Sequence, residues 1–308
     1  MPFRFFRDEL VSDGVRRIVL EQVDRAIAEL DDRRLELDEA VHQVRKRCKK
    51  IRAVLRLVRA QLGDEVYRRE NASYRDTARG LSSARDAAVL LQTGLSLQES
   101  AANPPDRAAL AAMIEKLSAE QSRAADERAL EERIADCQRN LRVARQRAAS
   151  WPLGDDGFDT ISRGLKDSCR RVWKAFRLAY EEMSLERFHD WRKRVKDHAY
   201  QLTLLRGLGG KRLKKRGRRL GALAEQLGVL HDLDVFRGLV MDRDDWLSDD
   251  HRAALLGLID AQCRELQRIV KPLGKRLSKA RPRRLVARLG DKWGRWYRGP
   301  AVQTVRVG

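Results

Sequence analysis

Proline is scarce and unevenly placed. Seven occur in 308 residues, at Pro2, Pro104, Pro105, Pro152, Pro272, Pro282 and Pro300, leaving 3–103 and 153–271 without one. A proline in a helix interior costs about 3 kcal/mol, so the two long tracts are free to be helical and the prolines are expected at boundaries. Cysteine is scarcer still. Cys48, Cys137, Cys169 and Cys263 lie far apart with no Cys-x-x-Cys pair, which predicts reduced thiols acting as small buried hydrophobes. The longest uncharged stretch, Ala87 to Gln98, falls short of the roughly 20 residues of a membrane-spanning helix. The opening Met1-Pro2-Phe3-Arg4-Phe5-Phe6-Arg7 is charged too early for a secretory signal. A soluble chain of the cytoplasm is the expectation. Strand-period alternation is missing, as are a phosphate-cradling glycine loop, a nucleophile elbow and a His-Glu-x-x-His pair. No enzymatic activity and no cofactor are therefore expected.

Charge of one sign is abundant. Lys and Arg number 65 against 45 Asp and Glu, a formal net charge of +20, within a chain that is 43% hydrophobic and 36% charged. Such a mixture suits long amphipathic helices and can form a core. The excess calls for an acidic partner. Apolar spacing predicts an all-α protein with helices near 9–30, 37–62, 66–97 and 106–149, then 157–182, 185–208, 211–241 and 249–271. Trp151-Pro152-Leu153-Gly154 reads as a linker between two units, 9–149 and 157–290, inside one domain spanning 1–308. A basic, aromatic tail with Trp293, Trp296 and Tyr297 occupies 291–308.

The two units resemble each other. His42, Arg45, Lys46, Arg47 and Lys49 stand in the same order and spacing as His189, Arg192, Lys193, Arg194 and Lys196. Further on, Leu81-x-x-x-Arg85-Asp86-x-x-Val89 corresponds to Leu227-x-x-x-His231-Asp232-x-x-Val235. Two matches in order suggest a duplicated bundle of four antiparallel helices. At 100° per residue, Val44, Cys48, Ile51, Leu55, Val58 and Leu62 form an apolar stripe, and His42, Arg45, Lys46, Lys49, Arg52 and Arg56 gather on the other side. The second unit repeats this with His189, Arg192, Lys193 and Lys196. Cations not alternated with acids at helical spacing repel one another and favour a bound polyanion, for which Arg and Lys supply donors only.

Other basic groups are candidate additions: Arg16 and Arg17, Arg170, Arg171 and Lys174 on the first helix of each unit, and Lys215 and Arg219 from the run Lys211–Arg219. That run places seven cations in nine residues at a helix start, where the helix dipole disfavours them. His231-Asp232 invites comparison with His-Asp metal hydrolases. Only five histidines exist, one of them (His198) on an apolar stripe, and the surround is cationic, so no metal site is expected. Asp86 and Asp232 are expected to orient the facing cations.

These paired motifs and the duplicated helical layout resemble the CHAD family, the conserved histidine α-helical domain, over about 9–290. The resemblance implies two pseudo-symmetric four-helix bundles with basic helices lining a central groove. It implies inorganic polyphosphate as ligand and, in some members, association with polyphosphate granules. It further implies phosphate contacts from His42, Arg45, Lys46, Lys49, His189, Arg192, Lys193 and Lys196, with Arg85 close by. The chain departs from the family in having His231 where arginine is usual and Ala88 in place of the acid found at Asp234. The Glu-x-Glu-x-Lys signature of the triphosphatase (CYTH) domain often fused to such chains is absent from the sequence. Binding without hydrolysis is thus expected, with a nucleic-acid-binding module and a cationic scaffold for an acidic protein as rival readings.

Overall fold

Apolar residues three and four apart wind the described residues into eleven α-helices, seen here in a computed structural model. It describes residues 3–32, 34–123, 127–154, 157–243, 245–279 and 281–299, with the helical backbone but not the side chains at 82–86, 121–123 and 127–129. In the first half lie α1 (Val11–Asp31), α2 (Leu37–Leu57), α3 (Arg59–Gly80), α4 (Ser82–Ser100), α5 (Pro104–Arg123) and α6 (Glu127–Ala149). The second half holds α7 (Asp159–Glu182), α8 (Leu185–Leu204), α9 (Lys211–Asp242), α10 (Asp249–Ser278) and α11 (Pro282–Trp296), with a short 3₁₀ turn at Arg206–Leu208. Among the described residues no strand occurs.

The all-α class is as the sequence predicts, and the count of four helices per half is not. The helix expected over 37–62 stops at Leu57, and the chain restarts at Arg59 and kinks at Gly63, whose φ of 74° is open to glycine. Of the helix expected over 106–149, α5 and α6 are seen, and 124–126 between them lie outside the described residues. Pro272, expected at a boundary, lies inside α10. Its ring is exposed, and the helix is held on both sides of it by buried Val270, Gly274 and Leu277. Burial worth ~1.5–3 kcal/mol per large apolar side chain offsets the lost hydrogen bond. Other boundaries follow local rules. Pro104 and Pro282 open α5 and α11, where no amide hydrogen is needed. Ser184 and Ser248 cap α8 and α10 by accepting from the amides of Arg187 and His251 at 3.3 Å.

The halves interlock. α2 packs on α1, α3, α7 and α8; α5 packs on α4 and α10; α9 packs on α4, α8 and α10. The two basic helices, α2 and α8, are thus direct neighbours at the centre. Gly164 of α7 permits part of this closeness, because a Cβ there would stand 1.9 Å from the carbonyl oxygen of Leu57 on α2. Gln201 of α8, fully buried, donates to the carbonyl of Ala53 at 3.0 Å. The described part of the expected tail is ordered: Trp293 is buried against Phe5 and Phe158, and the Arg298 amide donates to the carbonyl of Arg7. The four cysteines are buried and unpaired. His198, on its apolar stripe, is sealed in the core with Nδ1 3.0 Å from Ser168 Oγ. No described helix is long and apolar enough to cross a membrane.

Candidate functional site

Helical spacing puts the α8 cations on one face, and the pairing of α8 with α2 brings them against a second such face. Lys49 feels the charges of Lys196, Arg45, Arg192 and Arg52. Loss of hydration and this crowding push its ammonium down to about 8. Lys49 is exposed at its surface, so the crowding is the part of the shift that bears on ligand binding. Lys196 is likewise lowered to about 8 by burial and by Arg192 and Lys46, with Asp232 acting in the opposite sense. Arg192 is lowered by burial and steadied by Asp232, the role expected for that aspartate. Its guanidinium runs past Gly228 of α9, where a Cβ would lie 3.6 Å from Nε.

Two histidines complete this end. The rings of His189 (α8) and His231 (α9) are 3.8 Å apart, tilted by 37°. Burial and the nearby Lys193, Arg192 and Lys49 hold His189 at about 4. Burial, His189 and the same cations hold His231 at about 3. Both rings are therefore neutral at pH 7. His189 Nδ1, His231 Nδ1 and Arg192 Nε are buried with no hydrogen-bond partner among the described residues. Buried polar groups ordinarily have a hydrogen-bond partner, ordered water included. Lys193, at the exposed edge, binds Asp190 at 2.9 Å. His42 sits half-buried one turn ahead of Arg45 on the same face of α2.

The other end is compensated. Arg56 meets Asp197 of α8 at 3.3 Å, and Arg52 donates to Asn71 of α3 at 3.1 Å. Burial raises the Asp197 carboxyl, and Arg56, Arg194, Arg52 and Arg171 pull it back. Arg171 of α7 joins here, lowered by burial and by Arg194 and Arg56. Sequence reasoning missed Asp197, Arg194 and Asn71. Asp197 and Arg194 sit just beside the α8 basic face, and only the closeness of α2 and α7 brings them in; Asn71 carries no signal in the sequence.

The remaining candidates separate from the groove. Arg16 donates to the carbonyls of Trp151 and Leu153 and pairs with Asp13. Arg17 is clamped by Glu9 at 2.7 Å and Glu21 at 3.0 Å, which raise its pKa against the opposing effect of burial. Both guanidiniums are structural ties: Arg16 joins α1 to the Trp151–Leu153 segment, and Arg17 is held locally between Glu9, ahead of α1, and Glu21, one turn on. Arg170 pairs with Asp167 at 3.1 Å beside a cavity shared by α7 and α11, and Lys174 is exposed. Lys215 and Arg219 line a different cavity, with α10 and α11. The Arg85 and Asp86 side chains lie outside the described residues. Among the described residues no three His, Cys, Asp or Glu converge.

A family model described as the CHAD domain matches residues 17–241. Among solved structures, the crystal structure of the CHAD domain from the plant Ricinus communis is similar to this chain. They share 20% identity with a TM-score of 0.59, over 89% of this chain and 96% of that one. That likeness bears on the fold. No curated protein matches the sequence.

Proposed function

The chain belongs to the CHAD family, and from that premise we propose that it binds inorganic polyphosphate in the cleft between α2 and α8 without hydrolysing it. One observation carries the reading. Lys46, Lys49, Arg192 and Lys196 converge from two helices with lysines forced down to about 8, beside buried histidine and arginine nitrogens that lack partners among the described residues. Like charges held together in a partly buried site repel more strongly than they would in water. A chain with one negative charge per repeat removes that repulsion along its length, and arginine can hold two phosphate oxygens at once. The nearby carboxylates, Asp190 and Asp232, act on the cations themselves, so the site is read as a holder of phosphate and not as a catalyst. Placement at polyphosphate granules in the cytoplasm is part of the same proposal.

The test is a competition titration at fixed salt, with labelled polyphosphate displaced by unlabelled polyphosphate, DNA, RNA or an acidic peptide. Polyphosphate is expected to compete best per charge. Equal competition by DNA or RNA overturns the reading in favour of a nucleic-acid module, and equal competition by the peptide in favour of a protein scaffold. In any of these cases affinity falls steeply with salt, because counterions are released.

A further inference from the structure

A second cationic cavity lies elsewhere in the molecule. About 580 Å³ in volume, it is enclosed by the first turns of α9, the end of α10 and the length of α11. Eleven cationic side chains line it against one carboxylate, Asp291. Arg212 and Arg219 stand on α9, Arg276 on α10, and Arg284 and Arg288 on α11. Eight of the eleven are arginine, the residue suited to bidentate phosphate contacts. The lining is not uniformly polar. Leu213, Leu277, Leu285 and Leu289 contribute an apolar surface, with Leu277 and Leu289 buried.

This cavity is separate from the α2–α8 cleft. Arg219 precedes His231 by twelve residues, about 18 Å along α9 at 1.5 Å per residue. At 100° per residue, Gly228 falls on the opposite side of α9 from the mean direction of Arg212, Lys215, Arg216 and Arg219, and His231 is turned about 110° from it. Two of its three walls, α10 and α11, lie beyond residue 241, where the family match ends.

The cavity is also held in shape. Lys292 of α11 donates to the carbonyl of Gly209, just before α9, at 3.2 Å. Arg216 reaches the carbonyl of Leu277 at 3.3 Å, and its Nε is buried without a partner among the described residues. No acid occupies the first turn of α9, so the cations there add to the positive end of the helix dipole.

We propose that this cavity is a second binding site, for a compact organic polyphosphate of nucleotide size. The volume falls within the range of small-molecule pockets, roughly 300–1,000 Å³. The arginines take a run of phosphates, and the leucines cover the organic body. Among the lining residues the sole acceptor side chain is Asp291, so little discrimination between bases follows.

The experiment is calorimetric titration of the full chain with ATP, GTP, inorganic tripolyphosphate and adenosine. ATP and GTP are expected to bind one per chain with similar affinity, tripolyphosphate roughly tenfold weaker for want of apolar contact, and adenosine not at all. The variant Arg284→Glu/Arg288→Glu, altered at exposed positions, is expected to lose ATP binding by at least roughly tenfold while still holding long-chain polyphosphate. Leu285→Ser is expected to weaken ATP and leave tripolyphosphate unchanged. Failure of the wild-type chain to bind ATP, wild-type ATP affinity in the double variant, or tripolyphosphate binding as tightly as ATP each overturns the proposal. Charge reversal in the α2–α8 cleft tests the other site and is expected to leave ATP affinity unchanged, so the two readings fail separately.

Discussion

α2 and α8 carry the same spacing of histidine, arginine and lysine, and their surroundings differ. α8 carries acids: Asp190 holds its own Lys193 at 2.9 Å, and Asp197 reaches across to Arg56 of α2 at 3.3 Å. At the place of Asp190 α2 has Gln43, and at the place of Asp197 it has Lys50, itself lowered to about 8 by burial and by Arg47 and Lys46. His189 is stacked against His231. One motif thus sits in two settings: α8 carries an acid for its own Lys193 and another for Arg56 of α2, and α2 has no acid at those two places.

The comparison breaks most completely when both sides are reversed. Lys46→Glu, Lys49→Glu, Lys193→Glu and Lys196→Glu together are expected to abolish polyphosphate binding with helicity unchanged by circular dichroism. Unchanged affinity places the site elsewhere. Reversing one wall at a time sharpens the contrast. The α2 pair Lys46→Glu/Lys49→Glu is expected to weaken binding by roughly ten times more than the α8 pair Lys193→Glu/Lys196→Glu, since Lys193 is already shared with Asp190. Equal losses mean that the walls are equivalent.

Protonation separates the walls next. Lys49 and Lys196 sit at about 8, and His189 and His231 at about 4 and 3. A bound polyanion raises all four, so binding takes up protons and strengthens as pH falls through 8. Calorimetry in buffers of different ionisation enthalpy checks this, and no net uptake at pH 8 refutes it. Without ligand, the histidines act on stability in a fixed direction. His198, held at about 3 by burial, joins His189 and His231 in refusing protons that the unfolded chain accepts near 6.5. Their contribution is complete above about pH 6.5 and is lost as pH falls from there toward 3. Thermal melts from pH 7 to 4 are expected to fall steadily, and less so with polyphosphate present. The smallest effect is expected from Asp190→Asn, which frees Lys193 and makes α8 more like α2. Affinity is expected to rise a fewfold, about the scale of an exposed ion pair.

Sequence alone located the helices of the centre and the charged face, because period 3.6 and residue type are local properties. It missed what depends on distant partners. Arg16 looks like any other groove cation until the carbonyls of Trp151 and Leu153 close on it. Asp197 gains its meaning only when the closeness of α2 brings Arg56 to it. The continuation of α10 through Pro272 depends on packing that outweighs a local penalty.

The contacts that set the spacing of the cleft lie on the main chain of α2. α7 rests on the Leu57 carbonyl through the bare backbone of Gly164, and α8 hangs from the Ala53 carbonyl through Gln201. The gauge of the cleft and its charge are therefore carried by different atoms. Side chains on the basic faces can be exchanged while the jaws keep their separation. A groove built this way can be retuned from one anion to another without being rebuilt.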